Sequence, residues 1–158
     1  MLLSEVFLPE FINCDVKASK KYDVFKELVD QFCNVTKLNV SEQVLAALKE
    51  REAKMSTGIQ KGIAIPHGKT TAIERSYGIL GVSKKGVDYD SLDGAPVHLV
   101  LMILAPPVEA EQHLHLLQRI AEVLRTPAFF KDAVSAQTPA EVYSIIKKYE
   151  ENSNFGAI

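Results

Sequence analysis

The chain has 158 residues, which suits one domain around a single core, and 47% of them are apolar, so that core needs neither disulfides nor metals. Charges of both signs are interspersed to a net −2 with no basic block, which excludes the phosphate backbone of nucleic acid as the main partner. The strongest apolar run, Val97 to Pro107, is too short to span a bilayer, and Met-Leu-Leu-Ser-Glu lacks the flanks of a signal peptide. A cytoplasmic protein without membrane insertion is therefore expected. Its two cysteines, Cys14 and Cys33, lack CxxC or Cys/His spacing and read as free thiols.

In chain order, Val24, Leu28 and Phe32, with Phe25 and Val29, recur at helical spacing between Lys20 and about Lys37. A second helix is predicted after Ser41, read as its N-cap, with Val44, Leu45 and Leu48 facing inward towards Arg51. Residues 56–62 form a polar, glycine-bearing connection into a short apolar segment, Ile63-Ala64-Ile65, cut off by Pro66. Tyr77 to Ser83 reads as a strand and Lys84-Lys85-Gly86 as a turn. Residues 97–104 are apolar at both parities, the pattern of a strand covered on both faces.

Helical signals resume at Glu109, with Leu114, Leu117, Ile120, Ala121 and Leu124 as the apolar stripe. Thr126-Pro127 and Thr138-Pro139 each place a capping residue before proline at the first helical position, and Glu141 completes a capping box with Thr138. The alternation predicts a three-layer α/β/α sandwich: a mixed, about five-stranded sheet with helices on both faces. One domain over 1–150 and a flexible tail over 151–158 are expected.

The chemistry concentrates in Gly62-Ile63-Ala64-Ile65-Pro66-His67-Gly68-Lys69-Thr70. Proline fixes the direction in which the chain leaves the sheet, and Gly68 leaves room for backbone and partner groups beside the imidazole. A neutral imidazole is nucleophilic near neutral pH, with an unperturbed pKa of about 6.5, and its bond to phosphorus is labile enough for the group to be passed on. The added charge then needs donors and cations, for which Thr57, Arg51, Lys69 and a second histidine are available. Pro-His-Gly alone fits an ordinary turn histidine more readily than a reactive one; the whole stretch taken together points to chemistry.

Arg51-Glu52, Ser56-Thr57-Gly58-Ile59 and Gly62-Ile63-Ala64-Ile65-Pro66-His67-Gly68 together resemble the signature of enzyme IIA domains of the mannitol/fructose type, from the phosphoenolpyruvate-dependent sugar phosphotransferase system. The resemblance continues through Asp90-Ser91-Leu92-Asp93-Gly94-Ala95-Pro96-Val97 and His113-Leu114. It implies a five-stranded mixed sheet flanked by helices, with neither cofactor nor metal. It also implies that His67 takes a phosphoryl group from the phosphocarrier HPr or a paralogue and yields it to a IIB domain.

The same resemblance makes His113 the stabiliser of the phosphoryl group and Arg51 an active-site cation, with Thr57 and Gly68 as phosphate-binding residues. Blander readings stand beside these: a packed structural histidine, a cation at a helix C-terminus and a turn threonine. His113 and His115 lie two apart on a helix and cannot chelate a metal together. Gly68-Lys69-Thr70 lacks the upstream glycine spacing of a nucleotide-binding loop, and His98 reads as structural. With no IIB, IIC or HPr-like segment in the sequence, the nitrogen-regulatory subgroup is the expected role, with a fructose- or mannitol-type relay as the alternative.

Overall fold

A computed structural model describes residues 1–153. Its elements are α1 (Leu3–Val6), β1 (Ile12–Asn13), α2 (Lys21–Thr36), α3 (Ser41–Lys54), β2 (Gly58–Gln60), β3 (Ile63–Ala64), β4 (His67–Lys69), β5 (Tyr77–Val87), β6 (Val97–Ala105), α4 (Ala110–Leu124), α5 (Pro127–Ser135) and α6 (Pro139–Glu151). The strands form one mixed sheet in the order β1-β5-β6-β3-β2, with β4 also on β6. β5 and β6 run antiparallel, whereas β3 and β4 both run parallel to β6 along its other edge.

The double apolar parity of β6 divides the core as expected. Leu99, Leu101 and Ile103 face a layer formed by α1, α4, α5 and α6. Val100, Met102 and Leu104 face α2 and α3, where Val24, Phe25, Leu28, Val29 and Phe32 are all fully buried. The domain is the three-layer α/β/α sandwich predicted, with six strands rather than about five. The extra strand arises because Pro66, having no N–H, interrupts the pairing along β6 and splits one edge into β3 and β4.

Several local expectations are corrected. Ser41 is the first helical residue and Val40 the cap, with no side-chain cap bond. Residues 58–60 pair as β2 rather than form a connection. Lys84-Lys85-Gly86 is no turn: β5 continues to Val87, which pairs with Val97, and an irregular register with Gly86 at φ +93° absorbs the extra residues. Thr138 accepts from the Glu141 N–H at 3.2 Å, but Glu141 accepts from Gln137 at 2.9 Å, so only half of the capping box forms.

In α4 the buried residues are His113, Leu116, Ile120 and Val123; of the stripe read in the sequence Ile120 is among them, Leu117 and Leu124 pack partly buried beside them, and Leu114 is 53% exposed. A polar residue in the buried row hides that row from an apolar pattern. Cys14 and Cys33 are free, and Cys33 packs partly buried against the α2–α3 side of the core. His98 is tied to the Ser83 carbonyl through Nδ1 at 2.8 Å. Glu151 closes α6, and residues 154–158 of the expected tail lie outside the described residues.

Candidate active site

The break at Ile65-Pro66 builds the site. Ile103 donates to the Pro66 carbonyl and Ile65 to the Thr57 carbonyl, both at 3.0 Å, so the segment is held although it leaves the ladder. The chain then rejoins β6 with His67 opposite Ile103, which makes His67 the first residue of an edge strand and not part of a loop. The Ile65 carbonyl, freed from strand pairing, lies 2.9 Å from Nδ1 of His67. A carbonyl can only accept, so Nδ1 carries the proton and Nε2 keeps its lone pair.

Successive residues of β4 face opposite layers. Gly68 is buried against α3: a Cβ there would stand 3.0 Å from the Ala47 carbonyl carbon and 3.1 Å from the Leu48 nitrogen. Close helix packing, rather than access for a ligand, is what this glycine provides, although it also lines the cleft. Gly68→Ala is expected to push α3 outward and cost about 1–3 kcal/mol, read as a lowered midpoint in urea unfolding.

A cleft of about 570 Å³ opens where the sheet edge meets both helical layers. α3 contributes Arg51 and Lys54, β4 contributes His67 and Lys69, and α4 contributes His113 and Leu114. The two imidazoles have centroids 5.5 Å apart and are inclined at 50°. His113 is 3% exposed, and neither of its ring nitrogens has a hydrogen-bond partner among the described residues. An unpartnered buried polar group costs about 1–3 kcal/mol.

Burial, and secondarily the charges of His67 and Lys69, push the His113 pKa down to about 4. Burial likewise lowers that of His67; the Ile65 hydrogen bond opposes the shift and the Arg51 charge adds to it. Both imidazoles are therefore neutral at pH 7. Arg51 reaches past the end of α3 to donate to the Met55 carbonyl at 2.9 Å, so its guanidinium is held at the cleft rim.

The expectation for Thr57 is not met. Its side chain is buried, with the hydroxyl 2.7 Å from both Glu52 and Tyr89, and it does not line the cleft. Sequence reasoning passed over Lys54, three residues after Arg51 and so on a neighbouring helical position, and it could not foresee that Glu52 is buried.

Fold and site together define a small α/β domain that presents a neutral, tautomerically fixed imidazole at a sheet edge beside a second imidazole and a cationic rim. The chain belongs to the family described as "Phosphoenolpyruvate-dependent sugar phosphotransferase system, EIIA 2", whose model matches residues 5–149. It is 34% identical over 151 residues to the fructose-specific EIIABC component of Bacillus subtilis, a match covering 96% of this chain but only 24% of that protein's length. It is 32% identical to a nitrogen regulatory protein of Bradyrhizobium diazoefficiens, covering 92% of this chain and 95% of that protein. The crystal structure of nitrogen regulatory protein IIA-Ntr from Neisseria meningitidis superposes with a TM-score of 0.84 at 26% identity, covering 91% of this chain and 98% of that one. Family members are components of a phosphotransferase system. Among the described residues no helix is long and apolar enough to cross a membrane.

Proposed function

We propose that the protein is a phosphocarrier of the nitrogen-regulatory type, taking a phosphoryl group from HPr or a paralogue onto Nε2 of His67. The observation carrying this reading is the Nδ1–Ile65 hydrogen bond, which leaves Nε2 as the nucleophilic nitrogen in a cleft lined by cations. In the transfer, the Nε2 lone pair attacks phosphorus while the donor's N–P bond breaks and its electron pair returns to the donor imidazole. The protonated ring nitrogen of His113 then donates to a phosphoryl oxygen, giving one of its two buried nitrogens a partner, while Arg51 and Lys69 offset the charge. Delivery reverses the step towards a IIB domain or alters binding to a regulatory target. The high structural likeness to the Neisseria protein supports the regulatory type; the sequence identity with the fructose-specific component supports a sugar relay as the second reading.

Incubation with phosphoenolpyruvate, enzyme I and HPr, followed by intact mass, tests the carrier function. One acid-labile, base-stable phosphoryl group is expected, and no uptake from HPr or any paralogue of the same organism would overturn it. Arg51→Lys keeps the charge but loses the planar two-pronged donor. Its rate of phosphoryl uptake is expected to fall about tenfold in a rapid-quench assay, and that of Arg51→Ala further.

A further inference from the structure

Beneath the cleft lies a buried polar cluster that the phosphoryl chemistry does not touch. Glu52, with a side chain only 1% exposed, pairs with the Lys21 ammonium at 3.2 Å. The same carboxylate accepts from the Thr57 N–H at 2.9 Å and from the Thr57 hydroxyl at 2.7 Å. The Lys21 ammonium also stands 4.9 Å over the ring of Tyr89, whose hydroxyl lies 2.7 Å from that of Thr57. A carboxylate held dry in this way must be matched by its partners, and here four groups from α2, the turn after α3 and the segment after β5 converge on or around it.

What makes the cluster more than a core staple is where Thr57 leads. Its carbonyl accepts from the Ile65 N–H at 3.0 Å, and the Ile65 carbonyl in turn accepts from His67 Nδ1 at 2.9 Å. Pro66 has no N–H to donate and is held only through its carbonyl, which accepts from Ile103, so the bond from the Ile65 N–H to the Thr57 carbonyl is the second anchor of the segment. A line of polar contacts thus runs from Lys21, by an ion pair, to Glu52 and on by hydrogen bonds through Thr57 and Ile65 to the imidazole. The residue beside Glu52 in sequence is Arg51, whose guanidinium lines the cleft.

We infer that Glu52 is a positioning residue: by fixing Thr57, and through it the Ile65 carbonyl, it holds His67 in the tautomer that leaves Nε2 free for phosphoryl transfer. This rests on the carrier reading above for its purpose, but the tautomer itself is measurable without any transfer.

The test compares wild type, Lys21→Met/Glu52→Leu, Glu52→Gln and Glu52→Asp. The double substitution removes both members of the buried pair, so no unpaired charge is left inside. Imidazole ¹⁵N shifts report the His67 tautomer, and initial rates against phosphorylated HPr separate maximal rate from donor KM. Wild type is expected in the Nδ1–H form. The double variant is expected to exchange between both tautomers and to lose at least tenfold in maximal rate, with donor KM within twofold. Glu52→Gln, which still offers an oxygen to Thr57, is expected to recover most of both properties.

Glu52→Asp keeps a charge for Lys21 but withdraws the carboxylate from Thr57, and it is expected to show a smaller change in the same direction. It decides the matter should the double variant not fold. A folded double variant, or failing that Glu52→Asp, with the wild-type tautomer and rate overturns the inference. If wild type takes up no phosphoryl group, the carrier reading falls while the tautomer comparison still decides the role of Glu52.

Discussion

His67→Ala is expected to take up no phosphoryl group from phosphorylated HPr, with the rate reduced to the background of the assay. No other imidazole in the cleft can replace it. His113 is buried with its pKa pushed down to about 4, too weak a base to serve as an efficient acceptor, and His115 is exposed on the far side of α4. His67 is half-buried on an edge strand whose own packing comes from Gly68, so its removal leaves the core intact. Its effect on stability should stay near about 1 kcal/mol. Intact mass and urea unfolding on the same sample check both halves. Labelling of the alanine variant at the wild-type rate would locate the acceptor elsewhere.

His113→Leu is expected to act in opposite directions on stability and on transfer. Leucine fills a similar volume without two unpartnered nitrogens, so the unphosphorylated protein should gain about 1 kcal/mol at neutral pH. Uptake should slow about 10- to 100-fold, because the phosphoryl oxygens lose a hydrogen-bond donor.

The pH dependence gives an independent check. The folded-state pKa of His113, about 4, lies below its unfolded value near 6.5, so between these the unfolded chain binds more protons. Stability is then full above about pH 6.5 and is lost as pH falls towards 4, by up to about 3 kcal/mol from this residue. The lowered pKa of His67 contributes with the same sign. Urea midpoints measured across this window should fall more shallowly for His113→Leu than for wild type. Parallel curves would mean that protonation of His113 does not govern the acid limb.

The cationic rim and the paired imidazoles place the two largest effects in one cleft, yet the residues that form it come from separate layers. Arg51 and Lys54 approach from the α2–α3 side, His113 from the α4 side, and β4 lies between them. Arg51 and His113 are 62 positions apart in the chain, so only closure of the sheet edge brings them to the same space. A shift of either helix therefore alters the site without touching His67, which is why Gly68, a packing residue, also bears on the chemistry.

Much of this was legible in the chain itself. The apolar run of β6 from Leu99 to Ala105 determined a sheet covered on both faces, because no exposed strand face tolerates apolar side chains at both parities. The helical spacing of α2 determined its buried side to the residue, and Pro66-His67-Gly68 within its long signature marked the reactive histidine.

Tertiary structure alone decided the rest. The inward row of α4 holds Ile120 as read but also His113, which an apolar pattern cannot register as buried. Lys84-Lys85-Gly86 became strand because Val97 offered Val87 a pairing partner from a distant segment. Thr57 turned from the cleft to Glu52 because a carboxylate already sealed inside the core must be satisfied by whatever donors lie nearest. Local sequence determines period and reactive groups; which polar atoms end up dry, and what they must bond to, is settled only when the layers close.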